Sequence, residues 1–408
     1  MKICFCKGIF FGPVSGPDEQ IINYASNLKK AGHKPSVLVV CSFARTDPYY
    51  VRFRDAGVAV SSIGQHPLYI IFLVVRQIAL LFPIAAIFSK FHKWETLAYW
   101  TAVFYFRWHK PDIIHVIVEG GIVIRAAHKA RIPIIYHESA TPWYSPQVES
   151  YYKALTNSLP ICNRVAALSP LHAKLCRELL PYKGPISIIP LIIADPGKHT
   201  RVADRSQGAV TFGFAARLEH LKGPTILLEA FAQLVQRNPN ARLIMAGKGD
   251  DEEAVFKLAE KLGIAEHCSF PGAYSGQEEK SAFMQSIDVF VLPSFAESVS
   301  IGVIEAMAHS LPVIASDVGA ISDEVTATTG ILVPPGSVSA LATAMLQLAE
   351  NVNIRKQMGL DARKRYEQYF SPEAVLPLLL RNYKEVANVD RELLNLALDK
   401  EYFAHPWM

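Results

Sequence analysis

Ile287-Asp-Val-Phe-Val-Leu-Pro-Ser-Phe-Ala-Glu-Ser-Val-Ser-Ile-Gly-Val-Ile-Glu-Ala-Met-Ala308 decides how this chain is read. Asp288 to Leu292 is short, β-branched and stopped by Pro293, which is the pattern of a buried strand. Ile301 to Ala308 contains good helix formers and predicts a helix opening near Ser300. A second apolar run, Leu311 to Ala315, follows, so the order is strand, loop, helix, strand, as in a parallel α/β sheet. Glu297 therefore falls on the loop and Glu305 on the helix. At such a turn the free backbone N–H groups and the positive end of the helix dipole favour an anion. Two flanking carboxylates then suit a ligand with phosphate between hydroxyl groups, the shape of a nucleotide sugar. Taken alone, the pair would be no more than a helix cap and a solvated helix residue.

The neighbouring segments add cations and glycines at equivalent places. Val210 to Phe214 reads as a strand leading into Ala215-Ala-Arg-Leu-Glu-His-Leu-Lys-Gly223, so Arg217 and Lys222 lie between a strand end and the helical stretch Pro224 to Gln236. Cations there can hold a diphosphate without a metal. Leu243-Ile-Met-Ala-Gly-Lys-Gly249 is another strand running into a glycine turn, where the backbone at Gly247 can approach a ligand closely. In open parallel sheets ligands bind outside the carboxyl ends of the strands, where all three segments end.

In this pattern residues 210 to 386 resemble the donor-binding half of a retaining glycosyltransferase of family 4 (glycosyl transferases group 1). The resemblance is carried by Glu-x7-Glu at Glu297 and Glu305, Arg-x4-Lys-Gly at Arg217, Lys222 and Gly223, and the glycine turn at Gly247 and Gly249, in family order and spacing. It implies an α/β chain of GT-B architecture, with two facing Rossmann-like domains and a cleft between them. The implied activity is metal-independent transfer of a sugar from a nucleoside diphosphate sugar to a hydroxyl acceptor, with no cofactor, in polysaccharide or glycolipid biosynthesis. The implied roles are Arg217 and Lys222 on the diphosphate, Glu297 on hydroxyls of the transferred sugar and Glu305 on the ribose. The amides of Ser300, Ile301 and Gly302 would meet the phosphate; the nucleobase would lie near Gly247 and the loop Pro271 to Tyr274, with Tyr274 a stacking candidate. His137, at the end of the strand Ile134-Ile-Tyr136, is expected to orient the donor sugar, although a histidine at a strand end is also a common structural hydrogen-bonding residue. Gly16, in Phe11-Gly-Pro-Val-Ser-Gly-Pro-Asp-Glu19, occupies the place of a loop that lies against donor phosphates or acceptor in relatives. Pro17 removes one N–H from it, and an ordinary turn capping a helix through Ser15 or Asp18 fits the same residues.

Two departures stand out. Ser298 and Ser300 replace small glycines, and Gly319-Ala-Ile-Ser-Asp-Glu324 leaves the choice between Asp323 and Glu324 open for the glutamate of the family. A nucleotide-sugar epimerase, a phosphorylase and a catalytically silent nucleotide-binding subunit are the alternatives on the same fold. No Asp-x-Asp occurs.

A chain of 408 residues is comfortable for two domains. The expected division is an acceptor-binding domain over 1–195, a linker over 196–209, a nucleotide-sugar-binding domain over 210–386 and a helical tail over 387–408. The six cysteines have neither zinc-ligand spacing nor disulfide-framework density, and Met1 to Cys6 runs into a strand rather than a signal peptide, so the expected compartment is the cytoplasm. Residues 1–195 hold 21 Lys and Arg against 11 Asp and Glu, and the remainder 20 against 26. The basic half would attract anionic lipid head groups or a lipid diphosphate acceptor; no nucleic-acid-binding motif is present, so nucleic acid is not an expected partner. Leu68 to Phe88 is almost wholly apolar and admits three readings: a membrane span, a buried helical pair, or a surface dipping into lipid beside Lys90, Lys93 and Trp94. Glu119 is a further acceptor-site candidate.

Overall fold

The structure, a computed structural model, describes residues 1–10, 15–79, 94–118, 121–139, 155–197, 210–274 and 276–387. Glu119, Lys90, Lys93, residues 80–88, most of the expected linker and the expected tail after residue 387 lie outside these. The chain forms two compact units, one of residues 1–192 with 375 onward and one of residues 193–374.

The first unit is a parallel sheet of β1 (Lys2–Lys7), β2 (Lys34–Val39), β3 (Ala59–Ser62), β4 (Ile113–Ile117), β5 (Ile134–His137), β6 (Arg164–Ala167) and β7 (Ile186–Ile188), ordered β3-β2-β1-β4-β5-β6-β7. Its helices are α1 (Gly16–Lys30), α2 (Pro48–Asp55), α3 (Pro67–Ala79), α4 (Trp94–His109), α5 (Ile122–Ala130) and α6 (Pro170–Leu179). Strands buried on both faces are near-continuous apolar runs, as Ile3 to Cys6 and, but for His115, Ile113 to Ile117 are. On one face Cys4, Cys6, Leu38 and Val116 pack with Ala98, Ala102 and Phe106 of α4 and Val123 of α5. On the other, Phe5 meets the rings of Tyr24 and His115.

The second unit has β8 (Thr211–Ala215), β9 (Arg242–Ala246), β10 (Cys268–Ser269), β11 (Val289–Leu292), β12 (Val313–Ser316) and β13 (Gly330–Val333), all parallel, in the order β10-β9-β8-β11-β12-β13. Its helices are α7 (Pro224–Arg237), α8 (Glu252–Lys261), α9 (Gln277–Ser286), α10 (Ile301–Ala308), α11 (Ile321–Glu324), α12 (Val338–Glu350) and α13 (Val352–Tyr369). The helix read from the sequence over Ile301 to Ala308 is present with those ends, and Ser300 caps it by accepting the Val303 N–H at 3.3 Å.

The expected second domain ran to residue 386, and here the structure differs. The last described helix, α14 (Pro372–Val386), belongs from Val375 onward to the first unit. The Tyr383 hydroxyl is 2.6 Å from His115 Nδ1, and Arg164 Nη1 donates to Asn382 Oδ1 at 2.7 Å and to Glu385 Oε2 at 2.8 Å. These polar anchors, with Leu379 and Tyr383 wholly buried, make the helix part of the first core. No helix of the described residues is long and apolar enough to cross a membrane.

In the second unit the segment 319–324 holds the loop 297–300 from behind. Gly319 has φ +57°, and a Cβ there would sit 1.6 Å from the Glu297 carbonyl oxygen, so only glycine permits the approach. The Ala320 N–H donates to the Ser298 carbonyl at 3.0 Å. Glu324, wholly buried, accepts the Ser300 N–H on Oε1 at 2.7 Å, and its Oε2 has no partner among the described residues. Burial pushes this carboxyl well above the usual carboxylate range, despite the Ser300 hydrogen bond, and the charges of Glu297 and Asp323 push the same way. Burial thus disfavours the ionised form in the folded chain.

A carboxyl with a raised folded pKa is still protonated in the folded chain at a pH where the unfolded chain has ionised. Its contribution is thus present below the unfolded value of about 4.3 and is lost as pH rises towards the folded value, by up to about 1.4 kcal/mol per pH unit. Glu324→Gln keeps the acceptor oxygen and removes the charge. Thermal melts should show the variant above wild type near pH 7 and the gap closing at about pH 4; a variant less stable at neutral pH would mean that the ionised form is the one the fold requires.

Candidate functional site

The chemistry gathers where β8, β11 and α10 meet in the second unit. After β8 the chain makes a short turn over His220–Lys222 and enters α7 through Gly223, whose φ is +67°. A Cβ on Gly223 would lie 2.1 Å from the Pro293 carbonyl oxygen, so this glycine lets the turn press against the end of β11. The His220 ring stacks on Phe295 with centroids 4.8 Å apart, and the Phe295 N–H donates to the Leu221 carbonyl at 2.8 Å. So clamped, Lys222 Nζ donates to Glu297 Oε1 at 2.6 Å, and the Ser294 hydroxyl donates to the same oxygen at 2.8 Å. Glu297 Oε2 is left without a hydrogen bond among the described residues.

Beside this pair stands the first turn of α10. The sequence suggested that the amides of Ser300, Ile301 and Gly302 act together, and the structure corrects this for Ser300, whose N–H is consumed by Glu324. The N–H groups of Ile301 and Gly302 have no acceptor among the described residues and sit at the positive end of the helix, open to an anion. Gly302 lies close to the end of β8, its Cβ direction 3.6 Å from the Ala215 carbonyl oxygen. One turn on, Glu305 pairs with Lys280 of α9, and both side chains are nearly buried.

Arg217 is not drawn into this cluster. It donates to Glu219 Oε1 at 2.6 Å, with its side chain 59% exposed. An exposed pair of this kind contributes about 0–1 kcal/mol, so the guanidinium is readily recruited elsewhere. Gly247 gives its N–H to the Gly272 carbonyl at 3.0 Å. Tyr274 is half-buried, with its ring 6.0 Å from that of Phe283.

His137 and Gly16 belong to the first unit. His137 is wholly buried: its Nδ1 lies 3.1 Å from Gln20 Nε2 and 3.1 Å from His115 Nε2, and its ring stacks on Tyr24 and His115. Burial, with the neighbouring His115 and His172, holds its pKa well below the usual range, and burial lowers His115 to about 3. In this conformation His137 offers no exposed surface to a sugar, and the geometry is that of a neutral ring in a packed polar core. Gly16 is the first residue of α1 rather than a loop residue, because Ser15 caps the helix by accepting the Asp18 N–H at 3.4 Å.

Two residues of the cluster, Lys280 and Ser294, escaped the sequence reading, and a third, Glu324, was left undecided against Asp323. Lys280 shares a helix face with Phe283 and Met284, a spacing that marks it as an inward-facing lysine, but its partner Glu305 is 25 residues away. Glu324, rather than Asp323, is the inward-facing acid of that pair, and Ser294, given no role by the sequence, donates to Glu297. No group of three or more His, Cys, Asp or Glu among the described residues is arranged to hold a metal ion.

Comparison with known proteins places this geometry. Residues 198–365 match the family described as glycosyl transferases group 1. The chain is similar to D-inositol 3-phosphate glycosyltransferase of Streptomyces coelicolor, with 34% identity over 195 residues, 44% of this chain and 42% of that protein. With such relatives the match therefore spans less than half of their length. The similarity to phosphatidyl-myo-inositol mannosyltransferase of Mycobacterium leprae is longer: 33% identity over 290 residues, 66% of this chain and 75% of that protein. In fold the chain is like Anabaena Alr3699/HepE solved with UDP, with a TM-score of 0.75 at 17% identity over 94% of this chain and 100% of that one. Two Rossmann-like parallel-sheet domains of the GT-B type are thus established. The chain belongs to the glycosyl transferases group 1 family.

Proposed function

We propose that this chain is a retaining, metal-independent glycosyltransferase that moves a sugar from a nucleoside diphosphate sugar to a hydroxyl acceptor. The observation that carries the reading is the Lys222–Glu297 pair set beside the two open N–H groups of Ile301 and Gly302. It joins a cation from the turn after β8 to a carboxylate with a free oxygen and to the N-terminus of α10. The UDP named with the Anabaena neighbour supports a nucleoside diphosphate donor. The relatives' names, which speak of inositol phosphate and phosphatidylinositol, support a phosphorylated or lipid-linked polyol as acceptor, met at a membrane surface.

Departure of the glycosyl group builds negative charge on the β-phosphate. Lys222 and Arg217 are the side chains proposed to neutralise it, with the Ile301 and Gly302 amides, by charge already in place before reaction. Glu297 Oε2 is the acceptor offered to sugar hydroxyls. Glu305, steadied by Lys280, is the acceptor offered to the ribose. Gly247 and Tyr274 are proposed to border the nucleobase.

Lys222→Ala and Arg217→Ala should each lower turnover by about a hundredfold or more, since removing one charge-stabilising donor costs roughly 2.7 to 4 kcal/mol. Melting temperatures should stay close to wild type. Turnover should also survive EDTA; loss restored only by Mg2+ or Mn2+ would overturn the metal-free mechanism, and near-normal rates in both variants would overturn the diphosphate assignment.

The two glutamates should fail differently. Calorimetry should show Glu305→Ala weakening the free nucleoside diphosphate by roughly tenfold or more, the worth of a charge-assisted hydrogen bond. Lys280→Met should do the same through the loss of its partner's orientation. Glu297→Ala should leave nucleotide affinity nearly unchanged while transfer falls. Equal effects of all three on nucleotide binding would refute this division.

A further inference from the structure

The surface of the first unit carries an arrangement that the proposed chemistry does not use. At the C-terminal ends of α4 and α5, Arg107, His128, Lys129, Ala130 and Arg131 line an open groove of ≈ 570 Å³. The three permanent cations of this lining are exposed, as is Lys110 beyond α4, and none has an acidic partner among the described residues. Asp112, the nearest acid along the chain, accepts the Lys2 N–H at 2.7 Å and forms no ion pair among the described residues.

Cations at helix ends often do nothing more than offset the helix dipole. Two helix ends supply roughly half a negative charge each, so about one elementary charge faces three lining cations and Lys110. Most of the positive charge is therefore uncompensated. The dipole account also leaves out Trp108, 85% exposed, and Phe104, 46% exposed, which lie with Arg107 at i, i+3 and i+4 on one face of α4. On α3, which packs against α4, Ile70, Ile71 and Val74 are also about half exposed. An apolar stripe beside unpaired cations is the pattern of an interfacial surface.

We infer that this α3–α4–α5 surface docks the protein on an anionic lipid bilayer, with Trp108 and Phe104 entering the interface and Arg107, Lys129 and Arg131 taking phosphate groups in the groove. Single-stranded nucleic acid also favours cations with aromatics. The aliphatic side chains of α3 decide against it, since they offer no stacking partner to a base, whereas lipid hydrocarbon removes them from water. The inference rests on the proposed function in one respect alone, the lipid class of the partner; it requires nothing of the transfer chemistry.

The test is sedimentation of the full chain with phosphatidylcholine vesicles, with and without phosphatidylglycerol. Wild type should pellet with the anionic vesicles and be released by salt. Arg107→Glu with Arg131→Glu should weaken binding by roughly thirtyfold or more, at about a tenfold change per 1.4 kcal/mol and about 1 kcal/mol per basic contact. Arg237→Glu with Lys261→Glu, the same charge change on the second unit, should leave binding in place; equal losses in both double variants would reduce the effect to net charge and overturn the surface. Quenching of tryptophan fluorescence by brominated lipid is a second readout, and it should fall in Trp108→Phe even if a charge-reversed variant folds poorly. Wild type ignoring both vesicle types, or capturing single-stranded RNA in preference to vesicles through Arg107 and Arg131, would overturn the inference. Sugar transfer to a soluble acceptor separates the two claims. A chain that transfers but does not dock refutes the surface, and a chain that docks but does not transfer refutes the function.

Discussion

A backbone N–H removed from water has to be given an acceptor, and Ser300 receives one from a carboxyl that is itself cut off from solvent. That contact fixes the loop carrying Glu297 from behind, together with the Ala320 to Ser298 hydrogen bond and the close passage of Gly319 under the Glu297 carbonyl. From the front, Gly223 lets the Lys222 turn close on Pro293, and His220 stacks on Phe295. Loop 297–300 is thus held by two segments that approach too tightly for any side chain at Gly319 or Gly223. Both residues are glycines because of where the loop must lie. A site whose work is electrostatic gains most from this kind of constraint, since its dipoles need no reorganisation when charge develops.

The same region is balanced in charge. Arg217 with Glu219, Lys222 with Glu297 and Lys280 with Glu305 form three pairs, and their side chains become progressively more buried in that order. Stripping water from a single unpaired ion costs several kcal/mol, so the inner cations are kept only because each has a carboxylate. For an incoming phosphate the ordering matters. The outer pair gives up its cation at little cost, whereas separating the inner pair would strand a buried charge. In the proposed function this ordering would put recruitment at Arg217 and rigidity at Glu305, with Lys222 between them sharing its protons between Glu297 and an anion.

How much of this could be read beforehand follows from the range of the interactions concerned. The strands at Ile134 to His137 and Val289 to Leu292 and the helix over Ile301 to Ala308 were legible because local periodicity, caps and terminators encode them. Lys222 and Glu297 were legible as separate motifs, while their contact across 75 positions was not. The place of the last helix depends on Tyr383 finding His115, 268 positions away, which no local pattern carries. His137 illustrates the opposite hazard. Its position at a strand end was read correctly, yet its surroundings, Gln20, Tyr24 and His115, come from three other elements and make it a buried neutral ring.

Charge tells a similar story at larger scale. An excess of basic residues in 1–195 gives a sign but no location, because a cation matters to a partner only when no carboxylate of the chain has claimed it. Lys7 is fully buried against Asp18, and Arg52 is taken by Glu19; both count towards the excess and neither presents a field outward. Of the cations that survive this subtraction among the described residues, Arg107, Lys110, Lys129 and Arg131 lie together at the ends of α4 and α5, next to the most exposed tryptophan described, while others such as Lys30, Lys34 and Lys174 lie on other elements. The apolar stretch for which the sequence left a span, a buried pair and a lipid-dipping surface open begins on α3, which packs against α4 and exposes Ile70, Ile71 and Val74. Apolar and basic signals tens of residues apart in the chain therefore converge on one helical layer. A bilayer, offering hydrocarbon and phosphate within a few ångströms, is the inferred partner because it would use both.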